Sequence, residues 1–186
     1  MTDAPKGRIN LEKASVMLLS GPPGMELLTR VFQGFGVRSP YRCFDRAKAM
    51  EVCREADLDL IVCDGSLPDG ATYDFIAELR RSDLEPNRFV PILVVQGHTP
   101  LDQIHKARDC GVNFVVAKPI TPRLLLERVL WIAQESRPFI ELDGYVGPDR
   151  RFQNLGPPGG PGTGRRRSDK AAEAPKSGVD PQEAIL

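Results

Sequence analysis

The sequence predicts an α/β fold, a doubly wound five-stranded parallel sheet with helices on both faces, and three observations lead there. Four short runs are continuously apolar: Val16–Leu19, Leu60–Cys63, Ile92–Val95 and Phe114–Ala117. Unbroken apolarity over so few residues marks strands covered on both faces; a half-exposed strand would alternate, and a buried helix would run longer. Between these runs lie segments whose apolar residues recur at helical spacing, so strand and helix alternate along the chain. A fifth and weaker stretch, Val37–Cys43, contains Pro40 and two arginines, which an edge strand accepts and a central parallel strand does not.

Each element has its own signal. Val16–Leu19 is the first strand, followed by a helix carrying Leu27, Leu28, Val31, Phe32 and Phe35. Val37–Cys43 is the second strand and Leu60–Cys63 the third; Phe75, Ile76 and Leu79 then form a helical stripe that ends at Arg80 and Arg81. Ile92–Val95 and Phe114–Ala117 are the fourth and fifth strands. The last helix presents Leu124, Leu125, Leu126, Val129, Leu130 and Ile132, with Thr121 as N-cap and Pro122 at the first helical position. An edge position for the second strand agrees with the flavodoxin-like order 2-1-3-4-5. There is no internal repeat.

The resulting organisation is an N-terminal arm over 1–13, a domain over 14–137, an extension over 138–155 and a tail over 156–186. From Arg137 onward Gly and Pro crowd the chain, as in Gly156-Pro157-Pro158-Gly159-Gly160-Pro161-Gly162, and few large apolar residues remain. Such a composition cannot bury a core, so the tail is expected to be disordered. Lys plus Arg equals Asp plus Glu at 25 each, so no net field favours nucleic acid or an anionic membrane. Cys43, Cys53, Cys63 and Cys110 lie far apart without a Cys-x-x-Cys pair and are expected to be reduced thiols, three of them partly buried. Met1–Leu11 has neither the apolar core of a signal peptide nor the length of a membrane span, so a cytoplasmic protein is expected.

In an open parallel sheet, ligands collect beyond the carboxyl ends of the strands. Those ends are Ser20-Gly21, Asp64, Gln96-Gly97 and Lys118-Pro119. Asp64 closes the most apolar strand and is followed by Gly65-Ser66-Leu67-Pro68, and Lys118-Pro119 closes the fifth strand. A strand ending in Asp, two residues, Leu-Pro and a helix, with a later strand ending in Lys-Pro, resembles the receiver domains of two-component response regulators over roughly residues 15–137. The resemblance implies a phosphorelay role in which Asp64 is the phosphoacceptor for a histidine kinase and Lys118 contacts the phosphoryl oxygen. It also implies a cis bond before Pro119, which an X-Pro peptide tolerates at about 0.5–1 kcal/mol. An ammonium beside a carboxylate keeps the acid ionised and nucleophilic.

Three positions depart from the family pattern. Receivers carry an acidic pair after the first strand to hold Mg²⁺, and this chain has Ser20 and Gly21 there. Each carboxylate about 4 Å from a unit charge contributes about 4 kcal/mol at an effective dielectric near 20, so the loss of two leaves weak Mg²⁺ binding at most and no cofactor is expected. The relay Ser or Thr at the end of the fourth strand is Gln96. The switch aromatic three residues before the lysine is Val115, with Phe114 one position earlier on the opposite face.

Other readings are weaker. Gly21-Pro22-Pro23-Gly24 resembles the opening of a nucleotide-binding P-loop, but Glu26, Leu27 and Leu28 stand where Gly-Lys-Ser/Thr should be. His98 and His105 have no partners at ligand spacing and read as solvated surface. Cys63 reads as a small core residue. Tyr145-Val146-Gly147-Pro148-Asp149-Arg150-Arg151-Phe152 is similar to a Tyr-x-Gly-Pro-Asp-Arg-Arg extension that follows some bacterial receivers. Phe139, Tyr145 and Phe152 are expected to pack back on the domain; the alternative makes Tyr145, Arg150, Arg151 and Phe152 a docking point for another protein. Arg165-Arg166-Arg167 offers only weak, salt-sensitive attraction to nucleic acid.

The expected function is a single-domain, non-enzymatic receiver acting as a protein-binding adaptor toward a histidine kinase or another signalling protein, through the face formed by its last helices. The alternative is a working phosphoacceptor phosphorylated at Asp64.

Overall fold

The structure is a computed structural model that describes residues 11–97, 109–134, 138–142 and 144–149. Five parallel strands, β1 (Val16–Leu19), β2 (Tyr41–Cys43), β3 (Leu60–Asp64), β4 (Ile92–Gln96) and β5 (Phe114–Ala117), lie in the order β2-β1-β3-β4-β5. This is the doubly wound, flavodoxin-like arrangement that the sequence predicts. β1, β3 and β4 are buried along their whole length, as expected of strands with a helical layer on each face. β2 is shorter than its sequence signal. Val37–Pro40 stays outside the sheet and pairing starts at Tyr41, because proline has no N–H for the ladder.

Helices cover both faces. On one side, α1 (Pro22–Gly34) contributes Met25, Leu28 and Phe32, and α4 (Pro122–Gln134) contributes Leu125, Val129 and Ile132, to a core with Val16, Leu18, Val62 and Val95. The Thr121 hydroxyl accepts the Leu124 amide at 3.2 Å and caps α4, with Pro122 at its first position. On the other side, α2 (Arg46–Glu55) and α3 (Ala71–Arg81) pack Ala49, Val52, Cys53, Phe75, Ile76 and Leu79 against Met17, Ile61, Cys63 and Val94. The N-cap of α2 is Asp45, whose carboxylate accepts the Lys48 amide at 2.8 Å. At the other end of α2, the Cys53 and Ala56 carbonyls accept both amide protons of the buried Asn87.

All four cysteines are free and buried, one more than the sequence led us to expect. Burial raises the thiol pKa to about 11 for Cys43 and about 12 for Cys53 and Cys110, and well above the ordinary value for Cys63. All are therefore protonated core residues at neutral pH. No helix among the described residues is long and apolar enough to cross a membrane.

After α4 the chain forms an antiparallel hairpin, β6 (Phe139–Leu142) with β7 (Tyr145–Pro148), in which the Tyr145 hydroxyl donates to the Pro148 carbonyl at 2.8 Å. The hairpin lies against the C-terminal end of α3 through Arg80, which is 1% exposed. The Arg80 guanidinium donates to the Gly111 carbonyl at 3.0 Å, the Arg88 carbonyl at 2.6 Å and Asn113 Oδ1 at 3.0 Å. The Phe139 ring covers it at 4.9 Å. Phe139 also meets the Phe89 ring edge-on at 5.5 Å, and Glu141 pairs with Arg88 at 3.3 Å. Burial pushes the Arg80 pKa down to about 9, which still leaves a cation at neutral pH.

Candidate functional site

The parallel order sends the carboxyl ends of β1, β3, β4 and β5 to one edge of the sheet, and the residues gathered there are Ser20, Asp64, Gln96 and Lys118. Asp64 is the last residue of β3 and 8% exposed. Lys118 Nζ donates to both of its carboxylate oxygens, at 2.9 Å to Oδ1 and 3.0 Å to Oδ2. The Ser66 amide donates to Oδ1 at 2.9 Å and the Ser20 hydroxyl to Oδ2 at 3.3 Å. Burial alone would raise the Asp64 pKa. The Ser66 amide and the Lys118 ammonium outweigh it, and the carboxyl is held below its ordinary value as one half of an ion pair.

Ser20 and Gly21, at the end of β1, bring a hydroxyl and a bare backbone where the family carries carboxylates. The Ser20 side chain is fully buried and also meets the Gly21 carbonyl at 3.2 Å. The first turn of α1 comes down close over this pair. A Cβ at Gly24 would overlap the Ser20 hydroxyl and stand 2.8 Å from Asp64 Oδ2, so only glycine permits this approach. The Gly21-Pro22-Pro23-Gly24 stretch is the helix start itself, with Met25 N donating to the Gly21 carbonyl at 2.9 Å. Pro22 and Pro23 lack N–H groups, so this turn is unsuited to cradling phosphates.

The Asp64 carboxylate and the Ser20 hydroxyl are oxygen donors that meet at this edge. Mg²⁺ demands near-octahedral oxygen ligands and is usually held by one or two carboxylates with substrate phosphate. Here the carboxylate is engaged by an ammonium, and its neighbour is a hydroxyl donating toward it. Among the described residues, no three His, Cys, Asp or Glu side chains gather as a metal site.

Gln96, at the end of β4, is 2% exposed, and its side-chain carbonyl is engaged by α3. There the Tyr73 hydroxyl donates to Gln96 Oε1 at 2.5 Å. The Gln96 backbone carbonyl accepts the Lys118 amide at 2.6 Å. Thr72, next to Tyr73, donates its hydroxyl to the Asp64 carbonyl at 2.6 Å. Val115 packs on the α2–α3 side of the sheet beside this cluster, whereas Phe114 lies on the α1–α4 side, edge-on to Trp131 at 5.3 Å.

The remaining candidates are dispersed. The Lys118–Pro119 peptide is cis. Cys63 is a fully buried core side chain. Tyr145 is half-buried in the hairpin, while Arg150, Arg151 and Phe152, together with His98, His105 and Arg165–Arg167, lie outside the described residues. Sequence reasoning missed Thr72, Tyr73 and Gly65. The signal available for them was a Gly directly after the strand-end Asp and a Thr-Tyr pair opening the next helix.

Comparison with known proteins agrees with this geometry. Residues 22–130 match the response regulator receiver domain family. The chain is 25% identical over 103 residues to the chemotaxis protein CheY of Pseudomonas aeruginosa, covering 55% of this chain and 82% of that one. It is 23% identical over 103 residues to CheY-3 of Vibrio cholerae, covering 55% and 78%. Among solved structures, the receiver domain of the Pseudomonas aeruginosa sensor histidine kinase PA1611, which has a magnesium ion coordinated in its active-site cleft, superposes with a TM-score of 0.59 at 20% identity, covering 66% of this chain and 98% of that one. Vibrio cholerae CheY4 superposes with a TM-score of 0.56 at 20% identity, covering 64% and 98%. With the sheet order, the strand-end aspartate and its lysine in place, the chain belongs to the response regulator receiver domain family of two-component signalling.

Proposed function

We propose that this protein is a Mg²⁺-independent adaptor of a bacterial two-component or phosphorelay pathway: a degenerate receiver held in one conformation that serves as a binding surface and not as an enzyme. The carrying observation is the two-pronged Lys118–Asp64 ion pair with Ser20 and Gly21 in place of the acidic pair. Phosphorylation of a receiver aspartate needs a dication to gather the incoming phosphoryl oxygens beside the carboxylate. In this crevice the Lys118 ammonium supplies positive charge, and among the described residues no group of three His, Cys, Asp or Glu side chains gathers to attract a metal.

The partner is a histidine kinase or another signalling protein, engaged through the face that carries the last helices. Balanced charge argues against nucleic acid or an anionic membrane surface as the principal partner. A cytoplasmic location follows from that partnership.

Incubation with Mg²⁺ and acetyl phosphate, followed by intact-protein mass measurement, tests the reading. The expected result is an unchanged mass. A substantial phosphoryl adduct mapped to Asp64 would replace it with the phosphoacceptor alternative, for which the ionised state of Asp64 already provides the nucleophile.

A further inference from the structure

The hydrogen bonds around Asp64 close into a circuit. Asp64 accepts the Thr72 hydroxyl on its backbone carbonyl; the adjacent Tyr73 donates to Gln96; the Gln96 carbonyl accepts the Lys118 amide; and the Lys118 ammonium returns to the Asp64 carboxylate. The members come from the carboxyl ends of β3 and β4, the first turn of α3 and the residue after β5, so the circuit spans the crevice mouth. We propose that Tyr73 is the positioning residue of this site: by holding Gln96 toward α3, it fixes the end of β4 and the backbone of Lys118, so that the charge state of Asp64 is not passed on to β4 and β5.

Three observations support this. First, both partners are nearly inaccessible, Tyr73 at 8% and Gln96 at 2% exposure. Their bond therefore has little competition from water. Second, the site is shaped to let them meet. A Cβ at Gly65 would stand 3.0 Å from the Tyr73 hydroxyl, 3.1 Å from Val94 Cγ1 and 3.2 Å from Gln96 Cδ, tighter than nearly all Cβ contacts. A larger residue directly after Asp64 would push the pair apart. Third, Val115 on the neighbouring strand faces the same layer and is small, and the aromatic ring in that layer beside the crevice comes from α3 instead. A hydroxyl-bearing residue at the end of β4 could swing toward Asp64. The Gln96 side chain is instead bonded to Tyr73, and its backbone carbonyl accepts the Lys118 amide.

This inference rests on the adaptor reading but fails separately from it. Hydrogen exchange on the full chain reads it, comparing wild type with Tyr73→Phe, each with and without Asp64→Asn. In the wild-type background, Asp64→Asn should alter exchange only around residues 64–66 and at Lys118. Tyr73→Phe should speed exchange at the end of β4 by about tenfold, equivalent to about 1.4 kcal/mol, while β1 is unchanged. In the Tyr73→Phe background, Asp64→Asn should spread its effect into β5. Gly65→Ala, which displaces the same pair while leaving both of its residues unsubstituted, should reproduce Tyr73→Phe and provides the reading if Tyr73→Phe folds poorly.

The proposal is overturned if Asp64→Asn already alters β5 in the wild-type background. It is also overturned if both substitutions leave β4 exchange unchanged, or if they accelerate β1 and β4 equally, because the bond would then contribute only general stability. Phosphorylation of the wild-type chain by acetyl phosphate would instead count against the adaptor reading and leave these exchange patterns to be judged by themselves.

Discussion

Replacing Arg80 by Met keeps the length and most of the volume of the side chain while deleting all of its N–H donors. The Gly111 carbonyl, the Arg88 carbonyl and Asn113 Oδ1 then lose a charged donor each, and Phe139 loses the cation beneath its ring. Hydrogen bonds to a charged group contribute about 1.5–3 kcal/mol each, so three give a gross loss of about 5–9 kcal/mol. Relief from burying a cation returns several kcal/mol. The net expected loss is about 2–4 kcal/mol, or a fall in Tm of about 8–16 °C at about 4 °C per kcal/mol for a domain of this size. Urea denaturation monitored by circular dichroism measures the free energy, and a thermal scan measures the shift. Combining Arg80→Met with Phe139→Ala should cost less than the sum of the two, because they share one contact. A loss below about 1 kcal/mol for Arg80→Met would refute the claim that this arginine ties the hairpin to the end of α3.

Two further outcomes follow from the crevice. Lys118→Met removes the cation that helps to hold the Asp64 carboxyl down while burial still pushes it up, so its titration midpoint, followed by carbon-detected NMR, should move upward. Because the folded pKa in the wild type lies below the unfolded one, the pair contributes stability above the unfolded carboxyl range and loses it as pH falls through the folded value. The deficit of Lys118→Met should therefore be largest at neutral pH and shrink in acid; a pH-independent deficit would contradict the assignment. Gly24→Ala should cost about 1–3 kcal/mol through overlap with Ser20 and Asp64, although Gly→Ala inside a helix ordinarily gains up to about 1 kcal/mol. Chemical denaturation showing a gain would mean that α1 lies further from the carboxylate than described.

Much of the fold is legible in the sequence because its strands are apolar on both faces. Val16–Leu19, Leu60–Cys63, Ile92–Val95 and Phe114–Ala117 carry a signal that no exposed segment shares, and Thr121-Pro122 announces its helix through cap chemistry. The stretch Val37–Cys43 overstates its strand, since composition does not say where Pro40 interrupts pairing. α2 carries a weaker stripe, diluted by Arg46, Lys48, Glu51 and Arg54, and stands out only once Ala49, Val52 and Cys53 are seen facing the sheet.

At the site, Asp64 and Lys118 are legible because strand-end positions converge in any parallel sheet. The partner of the Gln96 side chain is not. The Tyr73–Gln96 bond depends on the side-chain direction of the first turn of α3 and on the space left by Gly65, neither of which has a sequence period. Arg80 reads as a helix-end cation, because nothing local distinguishes an arginine in solvent from one that a hairpin much later in the chain will cover.

Titrating Mg²⁺ into the isotope-labelled full chain, with amide resonances as the readout, tests the central claim that the Asp64 crevice is closed to a dication. The account predicts that the amides of Asp64, Gly65, Ser66 and Lys118 stay in place through millimolar Mg²⁺. Saturable shifts confined to those residues would contradict it.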